Sequence, residues 1–249
     1  MMIQIANWNL ARALPASRRA ARIITELGKI EADLFVLTET HANICPRENF
    51  HGVHSGEPDR PCSSGEKWCS IWSKFQLEPL DALLSDPARC AAARCIHPTL
   101  GRITLFACVL PWSSDKWREI PTKNGRAFST ALDLYRSDWK KIRETFPDDL
   151  FFLAGDFNQN LTRHHYYGSA IQKKSLERVL LEEGLVPLTA YENDPVDLDC
   201  HPYACIAHIC INQKSGLKLI ASERWPETAK PDRALSDHYG IVVTLKPIE

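Results

Sequence analysis

Short apolar runs alternate with longer amphipathic stretches along most of this chain. The apolar runs predict strands over residues 3–10, 33–39, 67–73, 93–98, 101–111, 151–158, 203–211, 216–222 and 239–245. Apolar residues at helical spacing predict helices over 16–31, 126–146 and 172–184. Strand–helix–strand order near the N-terminus gives way to hairpin-like pairs of strands, so a purely parallel sheet is not expected. Two mixed sheets between helices fit this order better.

Two stretches lack this periodicity and predict long loops. Residues 40–66 hold clusters of Pro, Gly, Asn and Ser, and residues 111–125 contain two prolines, Lys123 and Gly125. No repeat, low-complexity tract or linker interrupts the chain. Its 249 residues suit one large α/β domain, so residues 1–249 are interpreted as a single domain.

Composition narrows the class of protein without identifying a function. The chain is 44% hydrophobic and 24% charged, with a formal net charge of -1, as in an ordinary globular protein. Proteins that coat duplex DNA through bulk charge are usually strongly basic, so that class is disfavoured, although a local basic groove is not. The N-terminus lacks a secretory pattern, and no apolar run reaches the roughly 20 residues of a membrane span. No protein partner is indicated.

The cysteines point to a reducing compartment. There are 9 of them, scattered through the chain without a disulfide framework, so we expect buried, reduced thiols in a cytoplasmic protein. Cys200, Cys205 and Cys210, with His201 and His208 among them, raise the alternative of a zinc site. Their spacing lacks the paired form of a structural zinc site, which disfavours that alternative.

The segment FFLAGDFNQN (151–160) closes an apolar strand with polar residues. Asp156 and Asn158 are two positions apart, and in an extended chain such positions point the same way. They are therefore expected to face one target that takes both an anionic acceptor and an amide donor. Either residue alone could instead cap a turn or a helix.

Other strands also begin or end with polar residues. The first predicted strand ends near Asn9, the second ends at Glu39, and the last begins directly after Ser236, Asp237 and His238. Singly, these residues could be caps or solvated strand ends. Together they place oxygen and nitrogen groups at the borders of strongly apolar strands. Glu39 and Asp237 are hard oxygen donors of the kind that hold Mg²⁺ or Mn²⁺.

Four blocks resemble, in order and spacing, the signature blocks of the endonuclease/exonuclease/phosphatase superfamily. They are NWNL (7–10), LFVLTETH (34–41), FFLAGDFN (151–158) and LSDHYGIVV (235–243), and they span nearly the whole chain. The resemblance implies a four-layer α/β/β/α sandwich of two mixed β-sheets flanked by helices. It also implies Mg²⁺ as cofactor, with Mn²⁺ as an alternative. Glu39 corresponds to the direct metal ligand, and Asn9 and Asp237 to its helpers, direct or through metal-bound water.

The resemblance also implies the catalytic roles. Asp156 corresponds to the group that orients or deprotonates the attacking water, and Asn158 to a donor to a phosphate oxygen. His238 corresponds to the imidazole on the opposite side of the scissile phosphate. These roles suit the chemistry, because an anionic phosphodiester repels hydroxide and needs both charge neutralisation and a positioned proton acceptor.

The chain departs from the family pattern at Ala207. The family usually carries an Asp there, which holds the histidine corresponding to His238. Three interpretations remain open: a variant inactivated to trap a ligand, a natural weakened enzyme, or replacement by Asp197 or Asp199. Inactivation or weakening is favoured, because both acids lie eight or more residues upstream.

Substrate contacts are predicted from loops beside the site. Many nucleases of the family place Asn or His where this chain has Pro111 and Trp112, and Trp112 could stack on a base or be a rim or core residue. Arg126, Arg163 and His164 are predicted to meet the phosphates of the substrate, with a solvated face as the alternative for each.

The favoured function is a Mg²⁺-dependent phosphoesterase, foremost a phosphodiesterase or nuclease that hydrolyses nucleic-acid phosphodiester bonds by metal-assisted attack of water. One alternative is a phosphomonoesterase or a lipid-headgroup phosphodiesterase, although no amphipathic membrane-binding helix or lipidation motif supports the lipid version. An alternative of another class is a non-catalytic module that binds a phosphorylated ligand.

Overall fold

The structure is a computed structural model, which describes residues 2–115, 117–120, 125–227, 231–232 and 234–248. Lys123 of the second predicted loop lies outside these residues. The described strands are β1 (Ile3–Asn9), β2 (Leu34–His41), β3 (His51–His54), β4 (Glu66–Ser73), β5 (Glu78–Pro79), β6 (Cys90–His97), β7 (Gly101–Val109), β8 (Leu150–Asp156), β9 (Leu185–Pro187), β10 (Ala207–Asn212), β11 (Leu217–Trp225) and β12 (Gly240–Pro247). The described helices are α1 (Arg18–Gly28), α2 (Arg126–Thr145), α3 (Ala170–Glu182) and α4 (Pro195–Cys200).

The strands form two mixed sheets with the same plan. The first has the order β11-β12-β1-β2-β4-β3, and the second has the order β5-β6-β7-β8-β10-β9. Among the described strands, β1 pairs in parallel with β2, and β7 pairs in parallel with β8, while the other pairings are antiparallel. Parallel neighbours need a crossover connection, and α1 and α2 supply the two crossovers.

Three apolar clusters separate the layers. The central cluster joins the inner faces of the two sheets, for example Val36 of the first and Ile209 of the second. α1 packs on the outer face of the first sheet, where Leu27 joins the cluster of Trp8. α2 and α3 pack on the outer face of the second sheet in another cluster, which includes Trp139. The predicted four-layer α/β/β/α sandwich is confirmed.

Several element bounds differ from the prediction for local reasons. α1 begins after Ser17, whose hydroxyl accepts the N–H of Ala20, and it ends at Gly28, before Ile30 of the predicted stripe. The predicted loop 40–66 contains β3, an edge strand on β4 with an exposed and half-buried HGVH sequence. β9 and α4 lie in residues 185–200, for which no element was predicted.

Two further observations bear on the composition. Each of the 9 cysteines is free in the structure; seven are buried as expected, whereas Cys45 is half-buried and Cys62 is exposed. None of the described helices combines the length and apolarity needed to cross a membrane.

Candidate active site

Strand ends from both sheets meet at one border of the sandwich. β1 and β2 are parallel and in register with Asn9 opposite Thr38, so Asn9 and Glu39 lie at the same edge of the first sheet. β2 continues to His41 rather than ending at Glu39 as predicted. In the second sheet, β8 ends at Asp156. The parallel β1–β2 pair and β8 therefore deliver their polar residues to one place.

The two sheets are tied together just before this border. The side-chain amide of Asn7 donates to the carbonyl of Gly155 at 2.9 Å and to that of His208 at 3.2 Å. Gly155 has φ +143°, and a side chain at this position would overlap the carbonyl oxygen of Cys108 on the neighbouring strand. The Gly of GDFN is thus required for β8 to pass close to β7 and to present Asp156.

Asn9 is the centre of the candidate site. Its buried amide nitrogen donates to the carboxylate of Glu39 at 3.0 Å and to that of Asp156 at 2.9 Å. Its side-chain oxygen accepts the backbone N–H of Ala11 at 2.8 Å, which fixes the orientation of the side-chain amide. One neutral side chain therefore holds two carboxylates from different sheets in contact with the same group.

Two of the candidate residues have left-handed backbone conformations. Glu39 has φ +43° and Asn158 has φ +51°, values that non-glycine residues rarely adopt and that often mark functional sites. The N–H of Asn158 donates to Asp156 Oδ1 at 3.0 Å, and its side-chain amide donates to the carbonyl of Leu110 at 2.9 Å. The expectation that strand alternation aligns Asp156 with Asn158 is therefore wrong, because a turn after Asp156 brings them together.

The SDH segment is held against β1 by two hydrogen bonds and is braced by a third within the segment. The hydroxyl of Ser236 donates to the carbonyl of Asn9 at 2.6 Å and accepts the N–H of His238 at 3.1 Å. The indole of Trp8 donates to the carbonyl of His238 at 3.0 Å. Asp237 and His238 both line a cleft at this border, and the imidazole Nε2 lies 3.8 Å from Asp237 Oδ1.

The carboxylates and the imidazole are close enough to influence one another. Burial raises the pKa of Asp156, and the negative charge of Glu39 raises it further. The charge of His238 and the hydrogen bonds from Asn9 and Asn158 act in the opposite direction. A buried carboxyl group with a raised proton affinity, bounded by named charge partners, is typical of a residue that accepts a proton in catalysis.

Tyr167, a partly exposed residue near the same carboxylates, was given no role from the sequence. Burial raises the pKa of its phenol, and the charges of Asp156, Asp237 and Glu39 raise it further. Asn160 positions this tyrosine by accepting its backbone N–H at 2.8 Å. The adjacent pair of tyrosines soon after GDFNQN was the one available signal for this residue.

Ala207 lies beside the candidate catalytic residues. It stands directly opposite Asp156 in the β8–β10 ladder and lines the cleft with Asp237 and His238. Directly opposed residues of antiparallel strands project to the same face. A longer acidic side chain at position 207 would therefore project toward the cleft.

The two acids considered as replacements for the missing carboxylate are engaged elsewhere. Asp197 lies 2.9 Å from His201 and 3.4 Å from His164. Asp199 pairs with Arg224 at 3.3 Å. The structure therefore does not support replacement by either acid.

The acidic residues suit Mg²⁺. This ion usually takes one or two protein carboxylates and keeps several waters, and Glu39 and Asp237 are the candidate protein ligands. The cluster also attracts cations, because Arg12 Nε lies 2.9 Å from Glu39 Oε2. Asn9 turns its amide nitrogen toward the carboxylates and its side-chain oxygen toward the N–H of Ala11, which suits a residue that positions the ligands.

A cluster of aromatic and arginine side chains packs beside Glu39. The guanidinium groups of Arg12, Arg60 and Arg89 lie 5.5, 4.9 and 4.5 Å from the ring centroid of buried Trp68. Half-buried Trp112 lies 6.2 Å from Trp68, and its indole donates to Ser114. Nothing in the sequence marked Arg12 or Trp68, since their importance depends on tertiary contacts.

The other predicted substrate contacts lie on loops and a helix start. Arg126 is the exposed first residue of α2, and Arg163 is exposed in the loop after β8. His164 is half-buried and its Nε2 lies 3.0 Å from the carbonyl oxygen of Pro202. These contacts, like that of Trp112, stay predictions.

Comparison with known proteins identifies the fold. The sequence matches no protein-family model and no curated protein. It is similar in structure to an endonuclease/exonuclease/phosphatase family protein from Bacteroides thetaiotaomicron, with TM-score 0.68, 15% identity and 98% of each chain covered. An AP endonuclease from Archaeoglobus fulgidus matches with TM-score 0.67 and 16% identity over 97% of this chain and 98% of that chain. TDP2 from D. rerio, complexed with single-strand DNA product, matches with TM-score 0.65 and 16% identity over 98% and 99%.

The layer order, the paired mixed sheets and this likeness lead to one conclusion. The chain has the fold of the endonuclease/exonuclease/phosphatase proteins.

Proposed function

We propose that this chain is a Mg²⁺-dependent phosphodiesterase that cleaves nucleic-acid phosphodiester bonds by attack of water. The observation that supports this most strongly is the contact of the Asn9 amide with both Glu39 and Asp156. It joins a candidate metal ligand and a candidate base in one buried group. The similar structures include an AP endonuclease and a protein complexed with single-strand DNA product, which favours nucleic acid among the possible phosphate esters.

Asp156 is proposed to accept the proton of the attacking water. Its Oδ1 and Oδ2 are held by the N–H of Asn158 and the amide of Asn9, so the carboxylate has a fixed orientation. General-base help of this kind typically accelerates a reaction by about 10²–10⁴-fold. The new bond forms between the water oxygen and phosphorus, the bond to the leaving oxygen breaks, and the leaving oxygen takes up a proton.

The phosphate is proposed to bind between Asp156 and His238. Asn158, Tyr167 and the imidazole of His238 supply N–H and O–H donors to its oxygens, which offset the charge that develops there. Mg²⁺ held by Glu39 and Asp237 would neutralise the phosphate charge when bound. The imidazole and the phenol both lie near carboxylates, so the proposed site combines hydrogen-bond donors with acceptors.

Ala207 favours a weakened enzyme and keeps a second candidate function open. A carboxylate that orients a catalytic imidazole fixes its tautomer and stabilises its charged form. Ala207 lines the cleft beside His238 without such a group. The second candidate is therefore a module that binds a phosphorylated ligand and does not cleave it. For either function we propose a cytoplasmic location, since the 9 free cysteines suit a reducing compartment.

The test is a panel of labelled single-stranded DNA, duplex DNA, RNA and phosphomonoesters, incubated with Mg²⁺ or with chelator. The phosphodiesterase proposal predicts chelator-sensitive cleavage of polynucleotide. Release of orthophosphate from the monoesters would instead identify a phosphomonoesterase. Tight binding without turnover would support the binding module.

Matched variants show whether any cleavage comes from this cleft. Glu39→Gln removes the charge of the candidate metal ligand at nearly constant volume and should abolish cleavage. Glu144→Gln makes the same change at an exposed position on α2 and should leave cleavage unchanged. Equal activity in both variants would show that the cleavage does not come from the proposed site.

A further inference from the structure

Three potential metal ligands converge outside the candidate active site. Asp197 lies on α4, His201 directly follows that helix, and His164 comes from the loop after β8. One ligand atom from each residue lies within 4.8 Å of the ligand atoms of the other two. Among the described residues, this is the one group of three His, Cys, Asp or Glu side chains that is so compact. The Nδ1 atom of His201 lies 2.9 Å from Asp197 Oδ1, and that of His164 lies 3.4 Å from the same oxygen.

The hydrogen bond on the far side of His164 determines which of its nitrogens is free. Its Nε2 lies 3.0 Å from the carbonyl oxygen of Pro202, which only accepts, so Nε2 carries the proton. In a neutral imidazole the Nδ1 lone pair then faces Asp197 Oδ1, which is also an acceptor. Two acceptor atoms aimed at each other in this way suit a cation bound between them.

We propose that His164, Asp197 and His201 bind a divalent transition-metal ion of the Zn²⁺ type. Two imidazoles and one carboxylate are typical protein ligands of zinc, with a water in the fourth position. The backbone carbonyl behind His164 is the usual second partner of a metal-bound imidazole. The side chains of His164, Asp197 and His201 are 26, 24 and 66% exposed, so an ion has access from solvent.

This site differs from the zinc site considered from the sequence. His201 is the one residue of that earlier set that belongs to the compact group among the described residues. Cys200, Cys205 and Cys210 are buried thiols, and His208 is buried with its Nε2 2.9 Å from the carbonyl oxygen of Gln159. The ligands instead come from the first turn of α4, from the residue that follows this helix and from a loop distant in sequence.

A bound ion would link two segments that lie beside the cleft, the loop of His164 and the end of α4. The loop of His164 also carries Tyr166, whose ring packs edge-on against Tyr203 with centroids 5.9 Å apart. Both tyrosines line the cleft together with Asp237 and His238. The ion would therefore hold the wall of the cleft in place, and it would do so without sharing a ligand with the proposed Mg²⁺ site.

The test measures Zn²⁺ binding to the full chain after chelator treatment, with excess Mg²⁺ present. Cys62 is an exposed thiol, so every protein carries Cys62→Ser to remove a competing ligand. We expect one Zn²⁺ per chain by titration calorimetry and elemental analysis. Zn²⁺ at about 100 times its Kd should raise the Tm by about 5–10 °C. Co²⁺ in the same site should show the visible absorption of a tetrahedral ion.

Variants separate this site from other zinc ligands. His164→Ala and Asp197→Asn should each weaken Zn²⁺ binding by more than about 100-fold, while His165→Ala, at the exposed neighbouring histidine, should bind as before. Glu39→Gln should also bind as before. Circular dichroism checks that each variant is folded, and Asp197→Asn provides a nearly isosteric test beside the Ala variant.

Three results would overturn the proposal. Failure of the parent protein to bind Zn²⁺ would show that these three residues do not form a metal site. Unchanged affinity in Asp197→Asn would place the ion elsewhere. Loss of Zn²⁺ binding in Glu39→Gln would assign the ion to the candidate active site.

Discussion

Asn9→Ala is the substitution that probes the candidate site most sharply. It removes two hydrogen bonds to carboxylates, at 3.0 Å to Glu39 and at 2.9 Å to Asp156. Hydrogen bonds to charged groups contribute about 1.5–3 kcal/mol each, so the folded protein should lose about 3–6 kcal/mol at neutral pH. In the variant, Asp156 takes up a proton more readily, which recovers about 1.4 kcal/mol of folding free energy per unit of pKa change. The expected loss therefore lies toward the lower end of that range.

The pH dependence gives this prediction a direction. The hydrogen bond from Asn9 lowers the pKa of Asp156 in the folded protein, because it stabilises the carboxylate. The stabilising effect of Asn9 is therefore present at pH values where Asp156 is ionised. It is lost as the pH falls and Asp156 takes up a proton. The free-energy difference between wild type and Asn9→Ala should be largest at neutral pH and shrink in acid.

Urea denaturation of both proteins from acidic to neutral pH measures this difference directly. A loss of about 3 kcal/mol at neutral pH corresponds to a Tm lower by about 6–12 °C for a chain of this size. Asn7→Ala is the matched control, because Asn7 donates to two neutral carbonyls and its loss should not depend on pH. A pH-independent loss in Asn9→Ala, or one below about 1 kcal/mol, would refute the inferred contact with the two carboxylates.

Three further predictions concern single positions. Gly155→Ala should destabilise the protein by more than about 1–3 kcal/mol, since its φ is +143° and its Cβ would overlap a backbone carbonyl of β7. Gly28→Ala is the control, because its Cβ would lie in open space and the substitution should destabilise little or stabilise. Thermal unfolding compares the two variants. Ala207→Asp should raise phosphodiesterase turnover about tenfold or more by supporting His238, and an Asp variant no faster than wild type contradicts that support. Burial raises the pKa of Asp156, so ionisation of this carboxyl group destabilises the folded state. Relative to Asp156→Asn, the wild-type protein should therefore lose stability as the pH rises from acidic to neutral. Parallel curves of stability against pH for the two proteins would contradict this.

The fold was largely predictable because the apolar pattern of its main strands and helices matches the way each is buried in the sandwich. β1, β2, β8 and β12 are continuous apolar runs because both their faces are covered in a four-layer sandwich. α2 shows a clear apolar stripe because one of its faces packs on the second sheet. β3 and α4 were missed, since β3 is an edge strand without apolar alternation and α4 is a short helix marked mainly by its cap Asp194.

The candidate site was predictable only in part. Asn9, Glu39, Asp156, Asp237 and His238 stand at strand borders. The structure joins Asn9 to Glu39 and Asp156 by hydrogen bonds and places Asp237 and His238 in the neighbouring cleft. Side chains whose position depends on tertiary contacts carried no such signal. They include Arg12, which pairs with Glu39, and Tyr167, whose pKa is raised by burial and by the charges of three nearby carboxylates. The backbone turn at Asn158 was also invisible, because φ +51° is not encoded in the spacing of polar residues.

The position of a bound divalent ion tests the proposed function most directly. Crystals soaked with Mn²⁺ and a short single-stranded DNA would be measured at a wavelength where manganese scatters anomalously. The proposed mechanism predicts a manganese peak about 2.0–2.3 Å from a carboxylate oxygen of Glu39, with a phosphate between that ion and His238. A peak remote from Glu39, with DNA bound in another groove, would contradict it.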